Sequence, residues 1–188
     1  LEFQLESLLL GTVLGALLGG VVNAAVSRYG EFKLAHGLAS ALRAEVRTLV
    51  GLLIFRGYGS EVQKIIARLT DASHQLNDDD VFGARITLSY FVVFAGAGSK
   101  LGLLDELAED TVATYYLAQS LIEDIRQFWF HRERLLEGKW SLEEHHREWL
   151  LQMTFKLSEL LNLCVLRGQM LDGKLELFSK RRWLGILP

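Results

Sequence analysis

Residues 8–26 read LLLGTVLGALLGGVVNAAV, a run without a single charge in which only Thr12 and Asn23 are clearly polar. At about 1.5 Å of rise per residue, a helix of this length reaches roughly the 30 Å thickness of a bilayer's hydrocarbon core. The run therefore predicts a transmembrane helix. Its small residues are ordered: Ser7, Gly11, Gly15, Gly19, Asn23 and Ser27 recur every fourth position, with Thr12, Ala16, Gly20 and Ala24 in a row beside them. A smooth stripe lets two helix backbones approach closely, and an Asn on it can hydrogen-bond across the contact. Gly11, Gly15, Gly19 and Asn23 are the candidate helix-packing residues.

A cleaved signal peptide is the rival reading, with Val22-Asn23-Ala24 as a small-residue cleavage site. The flank before the run carries Glu2 and Glu6 and no Lys or Arg. A signal peptide needs a basic segment there, which favours the anchor. After the run come Arg28, Lys33, Arg43 and Arg47. Positive residues stay on the cytoplasmic side, so the expected location is the inner (cytoplasmic) membrane, single-pass, with the N-terminus outside and the rest cytoplasmic.

The remainder reads as helical. Leu34, Leu38, Leu42, Val46, Leu49 and Leu53 recur at three or four residues up to about Phe55, and no strong breaker separates this helix from the anchor. Gly57 and Gly59 should end it. Ser60 with Gln63 resembles a capping box for a short helix with Val62, Ile65, Ile66 and Leu69 inward. Residues 70–80 form a polar loop in which Asp78, Asp79 and Asp80 lack the alternate spacing of a calcium site. Residues 86–94 (ITLSYFVVF) are the one strand-like stretch. The Gly-rich segment behind them matches neither the phosphate-binding G-x-x-x-x-G-K-[ST] pattern nor G-x-G-x-x-G. It predicts a tight turn or a close-packed small-residue helix.

A long helix follows from Asp105 to about Leu136, with Leu107, Val112, Tyr115, Tyr116, Ala118, Ile122, Ile125 and Trp129 on its apolar face. Gly138 ends it, and Ser141 with Glu144 predicts a capping box for the next helix, to about Leu171. Leu142, Trp149, Leu150, Met153, Leu157, Leu160, Leu161, Cys164 and Leu166 make its inner face. A turn of a few residues between two long helices implies an antiparallel hairpin. The chain closes on Lys180, Arg181, Arg182 and Trp183. With Arg28, these are candidates for contact with a membrane surface; a strap over the bundle is the other reading of the tail.

The chain resembles a loose set of uncharacterised bacterial single-pass membrane proteins with a cytoplasmic helical domain. The resemblance rests on Leu42-Arg43-Ala44-Glu45, Tyr90-Phe91-Val92-Val93-Phe94, Leu101-Gly102-Leu103-Leu104, and Thr111-Val112 followed by Tyr115-Tyr116. It departs at the Gly-rich residues 95–98 and in lacking prolines in the preceding loop. It implies an anchor and cytoplasmic helices, and no reaction or ligand.

Catalytic constellations are poor. Glu143-x-x-His146 is one half of a di-iron carboxylate motif, and no second E-x-x-H exists. Cys164, the one cysteine, sits on an apolar face and reads as core. A net charge of −3 does not suggest nucleic-acid binding. The expectation is an all-α protein: a transmembrane anchor over residues 1–28, a cytoplasmic helical domain over 29–173 and a basic, aromatic tail over 174–188. Its expected role is a non-catalytic interaction or assembly protein without cofactor. Its partners would be a second copy, another membrane protein or a cytoplasmic protein, beside the lipid bilayer. The alternative is an oligomeric membrane-disrupting effector of toxin or phage-defence type.

Overall fold

The computed structural model describes the backbone of residues 2–84 and 91–180, and the side chains of these residues from Leu18 onward. It is all-helical, with no strand among the described residues. Helix α1 (Glu2–Phe55) is one uninterrupted helix of 54 residues, about 80 Å long at about 1.5 Å per residue. The anchor and the basic helix after it are thus a single rod, and Gly30 does not break it. Helices α2 (Tyr58–Thr70), α3 (Val92–Ala97), α4 (Leu107–Leu136) and α5 (Arg147–Ser179) follow.

Three rods make the bundle. The C-terminal half of α1 and then α2 lie end to end along α5, antiparallel to it. Arg43 of α1 meets Asp172 and Glu176 near one end of α5, and Gln63 of α2 donates to Ser158 Oγ at 2.8 Å nearer the other. Helix α4 also runs antiparallel to α5: Asp110 pairs with Lys174 and Arg132 reaches Asp79 and the Val81 carbonyl beyond the end of α2. The long hairpin expected from the sequence is therefore present. Its first helix ends at Gly138, whose φ of 67° is the left-handed conformation that glycine adopts without penalty.

Two apolar clusters fill the bundle. One gathers Ala35, Ala39, Leu42, Val46 and Val50 of α1 with Tyr115 of α4 and Leu171, Leu175 and Phe178 of α5. The other gathers Val62, Ile65 and Leu69 of α2 with Leu121, Ile125 and Phe128 of α4 and Leu150, Leu157 and Leu161 of α5. The seam between α1 and α5 is tight at Gly168, where an added Cβ would overlap Val50 Cγ2.

Several expectations are corrected. Gly59 lies inside α2, which starts at Tyr58 behind Gly57 at φ 64°. Ser60 and Gln63 form no capping box: Ser60 Oγ donates back to the Gly57 carbonyl, and Gln63 is drawn to Ser158. Residues 92–94 of the strand-like stretch open helix α3, which runs on through Ala97 of the Gly-rich segment, and residues 86–90 lie outside the described ones. Ser141 does not cap α5. A 3-10 turn at Glu144–His146 comes first, with the Glu143 N–H donating to His146 Nδ1. Helix α5 continues past Leu171 to Ser179 and buries Leu175 and Phe178. Leu34, Tyr116 and Leu166 are exposed. Their neighbours Ala35, Tyr115 and Gly168 are buried instead.

The acidic loop holds a buried charge. The side chain of Asp80 is fully buried. It accepts from Arg68 Nε at 2.8 Å, from the Asn77 N–H at 2.9 Å and from His74 Nε2 at 2.8 Å. Burial alone would raise its carboxyl; the hydrogen bonds from Arg68, Asn77 and His74 outweigh burial and hold it below the usual carboxylate range. Arg147 of α5 locks the same loop by donating to the carbonyls of Leu69, Asp71 and His74.

Two predictions follow from this packing. Gly168→Ala should destabilise the fold by about 1–3 kcal/mol, the usual cost of overpacking a tight contact. Adding Val50→Ala should recover part of the loss in chemical denaturation. Asp80 has a depressed native pKa, so its contribution is present above the unfolded value of about 3.9 and is lost as pH falls through the native value. Denaturation curves from pH 7 to 3 should show wild-type stability falling at the acid end. Asp80→Asn should be less stable at pH 7 by about 3–5 kcal/mol and flatter with pH.

Candidate interaction surface

Among the residues of α1 whose side chains are described, the first that the bundle buries is Ala35. On the turns before it Leu18, Val21, Val22 and Val26 are each 60–66% exposed. Exposed branched aliphatics on consecutive turns are unfavourable in water and mark a surface that something else covers. Residues 18–34 alone would extend about 25 Å from the bundle at about 1.5 Å per residue.

The candidate residues sit on this rod. An added Cβ at Gly19 would meet no atom within 4 Å, and Asn23 and Arg28 are exposed. Gly11 and Gly15 lie in α1 within the part, residues 2–17, of which only the backbone is described, and so does the larger part of the apolar run. Arg181, Arg182 and Trp183 lie outside the described residues. Lys180 is drawn back onto α5 by an ion pair with Glu176 at 2.5 Å. Among the described residues no helix is long and apolar enough to cross a membrane.

How the bundle grips α1 decides what the projecting rod can transmit. Where α1 enters, His36 packs between Phe32 and Phe178, with ring centroids 3.9 and 5.5 Å away. Two turns further in, Arg43 donates to Asp172 at 3.0 Å and to Glu176, and Arg47 reaches Asp172 at 3.2 Å. The Lys180 hydrogen bond and the charge of Arg43 lower the Glu176 carboxyl below its ordinary range.

On the next face, Glu45 joins three elements. Its carboxylate accepts from the Val93 N–H at 2.7 Å and the Phe94 N–H at 3.1 Å, the first free amides of α3, and from the Tyr115 hydroxyl at 2.6 Å. A carboxylate at a helix start satisfies donors that the helix itself leaves unpaired. Phe94 stacks on Tyr115 with centroids 4.1 Å apart. Burial, and then the bond to Glu45, push the Tyr115 phenol well above its ordinary value, so it remains a donor at any physiological pH.

These grip residues were not singled out as functional from the sequence. Arg43 appears there among the positive residues after the apolar run and Glu45 only within Leu42-Arg43-Ala44-Glu45, and Asp172 and Glu176 lie beyond the expected end of α5. A charged pair on one helix at i and i+2 carries no signal of which distant helix it meets.

The remaining candidate chemistry is structural in character. Cys164 is buried beside Ala118 and Gly168, and burial pushes its thiol up to about 11. A thiol so protonated is a poor nucleophile. Glu143 is exposed and lies in an ion pair with His145 at 3.3 Å. Among the described residues no group of three or more His, Cys, Asp or Glu could hold a metal ion. No protein-family model, curated protein or solved structure matches this chain.

Tyr115→Phe tests the Glu45 junction. It should cost about 1.5–3 kcal/mol, the range for a hydrogen bond to a charged acceptor. The measurement is equilibrium denaturation; a variant as stable as wild type would remove the junction from the grip on α1.

Proposed function

We propose that this chain is a membrane-anchored, non-catalytic interaction or assembly protein. In this reading residues 8–26 cross the bilayer and associate with another helix through Gly11, Gly15, Gly19 and Asn23. The helical bundle stands on the cytoplasmic side. The observation that carries the proposal is the continuity of α1: a single helix leaves the bundle at Ala35 and presents Leu18, Val21, Val22 and Val26 largely exposed. Lipid acyl chains or a second helix would cover such a surface, and the charge-free run ahead of it suits the bilayer. Arg28, Lys33, Arg43 and Arg47 on the bundle side support the orientation.

The test uses the full chain expressed in bacteria. Alkaline extraction of membranes should leave it in the lipid pellet, and protease added to spheroplasts should spare the bundle. Gly19→Leu should leave the unfolding curve within about 0.5 kcal/mol, as for a surface change. It should nevertheless weaken cross-linking of the detergent-solubilised protein severalfold, because a bulky side chain separates the backbones. Release into the alkaline supernatant would refute the anchor. An unchanged cross-linking pattern in Gly19→Leu would refute the role of the small-residue stripe.

A further inference from the structure

At the opposite end of the bundle from the projecting rod, the α4–α5 turn builds an open cleft of about 220 Å³ lined by His131, Arg134, Trp140, His146 and Trp149. Its construction starts from Gly138. With that residue at φ 67°, the chain reverses so that the N–H groups of both Lys139 and Trp140 donate to the Arg134 carbonyl, at 2.9 and 3.1 Å. Trp140 is thereby folded back over the last turns of α4. Its ring lies 5.4 Å from His131, 5.2 Å from His146 and 6.1 Å from Trp149, edge-on to the last two. His131 in turn stands edge-on to Trp149 at 5.4 Å.

The polar groups of the cleft are donors. His146 Nδ1 accepts the Glu143 N–H, so in the neutral ring the proton sits on Nε2. The Arg134 guanidinium lies over the Phe130 ring, 5.8 Å from its centroid, and forms no ion pair with a described carboxylate. Among the described residues no acid lines the cleft; on the turn, Glu137 pairs with Lys139, Glu144 pairs with Arg147, and a Glu143 carboxylate oxygen lies 3.3 Å from His145 Nδ1. Burial, and then the Arg134 charge, lower the pKa of His131. An aromatic cage for a quaternary ammonium would want acids at its rim; a free guanidinium repels such a ligand.

The geometry points to a binding site for a small planar aromatic anion, its ring in the corner between the perpendicular indoles of Trp140 and Trp149, face to one and edge to the other, and its charge on Arg134 and His146 Nε2–H. Flat rings on indole faces supply affinity that tolerates the identity of the ring, and a guanidinium matches a carboxylate or phosphate. The anionic group can be a phosphate, as in a nucleoside monophosphate, or a carboxylate on an aromatic ring.

The test is a titration of the full-length protein followed by tryptophan fluorescence and by calorimetry, with AMP, 2-naphthoate, adenosine and inorganic phosphate as probes. Saturable binding of AMP or 2-naphthoate is expected with Kd below about 1 mM. Adenosine and phosphate should bind at least tenfold more weakly, because each supplies only half of what the cleft recognises. AMP alone would assign a phosphate source, and 2-naphthoate alone a carboxylate. Arg134→Gln should lose at least tenfold in affinity with an unchanged melting temperature, since Arg134 is exposed and unpaired. Trp149→Leu checks the ring side of the site independently. No saturable binding of either anion, or equal affinity for AMP and adenosine, or undiminished affinity in Arg134→Gln, would each overturn the assignment.

Discussion

The close contact between α1 and α5 is the constraint on which the rest of the molecule depends. At Gly168 there is room for no side chain, because Val50 of α1 occupies the space where one would lie. Either side of this point the seam is lined by small or branched residues on α1, and it is flanked by Arg43 and Arg47 reaching to Asp172 and Glu176. Dispersion is gained only where atoms touch, so a seam this close stabilises by many small contacts that a single methyl group would disrupt. The ion pairs at its edge are partly exposed and contribute modestly on their own. Their geometric effect is larger: they set the register in which α1 lies along α5.

Register matters because α1 is continuous. A helix held by His36 against Phe178, by Arg43, and by Glu45 cannot rotate within the bundle without breaking several contacts together. Its projecting half must turn with it. Gly19 and Asn23 are therefore joined to the bundle by continuous helix, with no flexible linker between them. The aromatic cleft lies at the far end, about 44 Å away along α5 if measured from Trp149 to Phe178 at about 1.5 Å per residue. The two ends share α5 itself, which contributes Trp149 to the cleft and Phe178 to the grip on α1.

Polar groups inside the bundle are placed where helices alone cannot satisfy their own ends. Glu45 meets the free amides of α3, and Asp80 meets the Asn77 amide while pairing with Arg68. Arg147 takes three carbonyls around the end of α2. Buried charges are costly unless every lone pair finds a donor. Among the described residues no buried side-chain nitrogen or oxygen lacks a partner, so that condition is met.

Much of the helical layout was legible in the chain itself. The three- and four-residue spacing of Leu42, Val46, Leu49 and Leu53, the inward set Val62, Ile65, Ile66 and Leu69, and Gly138 as a stop all correspond to the folded form, because helix periodicity and a left-handed glycine are local properties. Helix ends were less legible. Ser60, Gln63 and Ser141 have the composition of caps, yet Gln63 is bound by a residue 95 positions away and α5 begins behind a different turn. The strand-like residues 92–94 become the start of α3 because Glu45, far away in the chain, supplies the acceptor that their free amides need. The cleft had only a faint trace, in the density of Trp and His about the Gly138 turn. Its rings converge because α4 and α5 lie antiparallel and Gly138 folds Trp140 back between them. By itself the sequence determined that the segments of α1, α2, α4 and α5 are helical and that one end is charge-free and apolar. Only the tertiary structure decided which faces touch, which ions pair and where the rings meet, since those depend on contacts between residues that no local pattern relates.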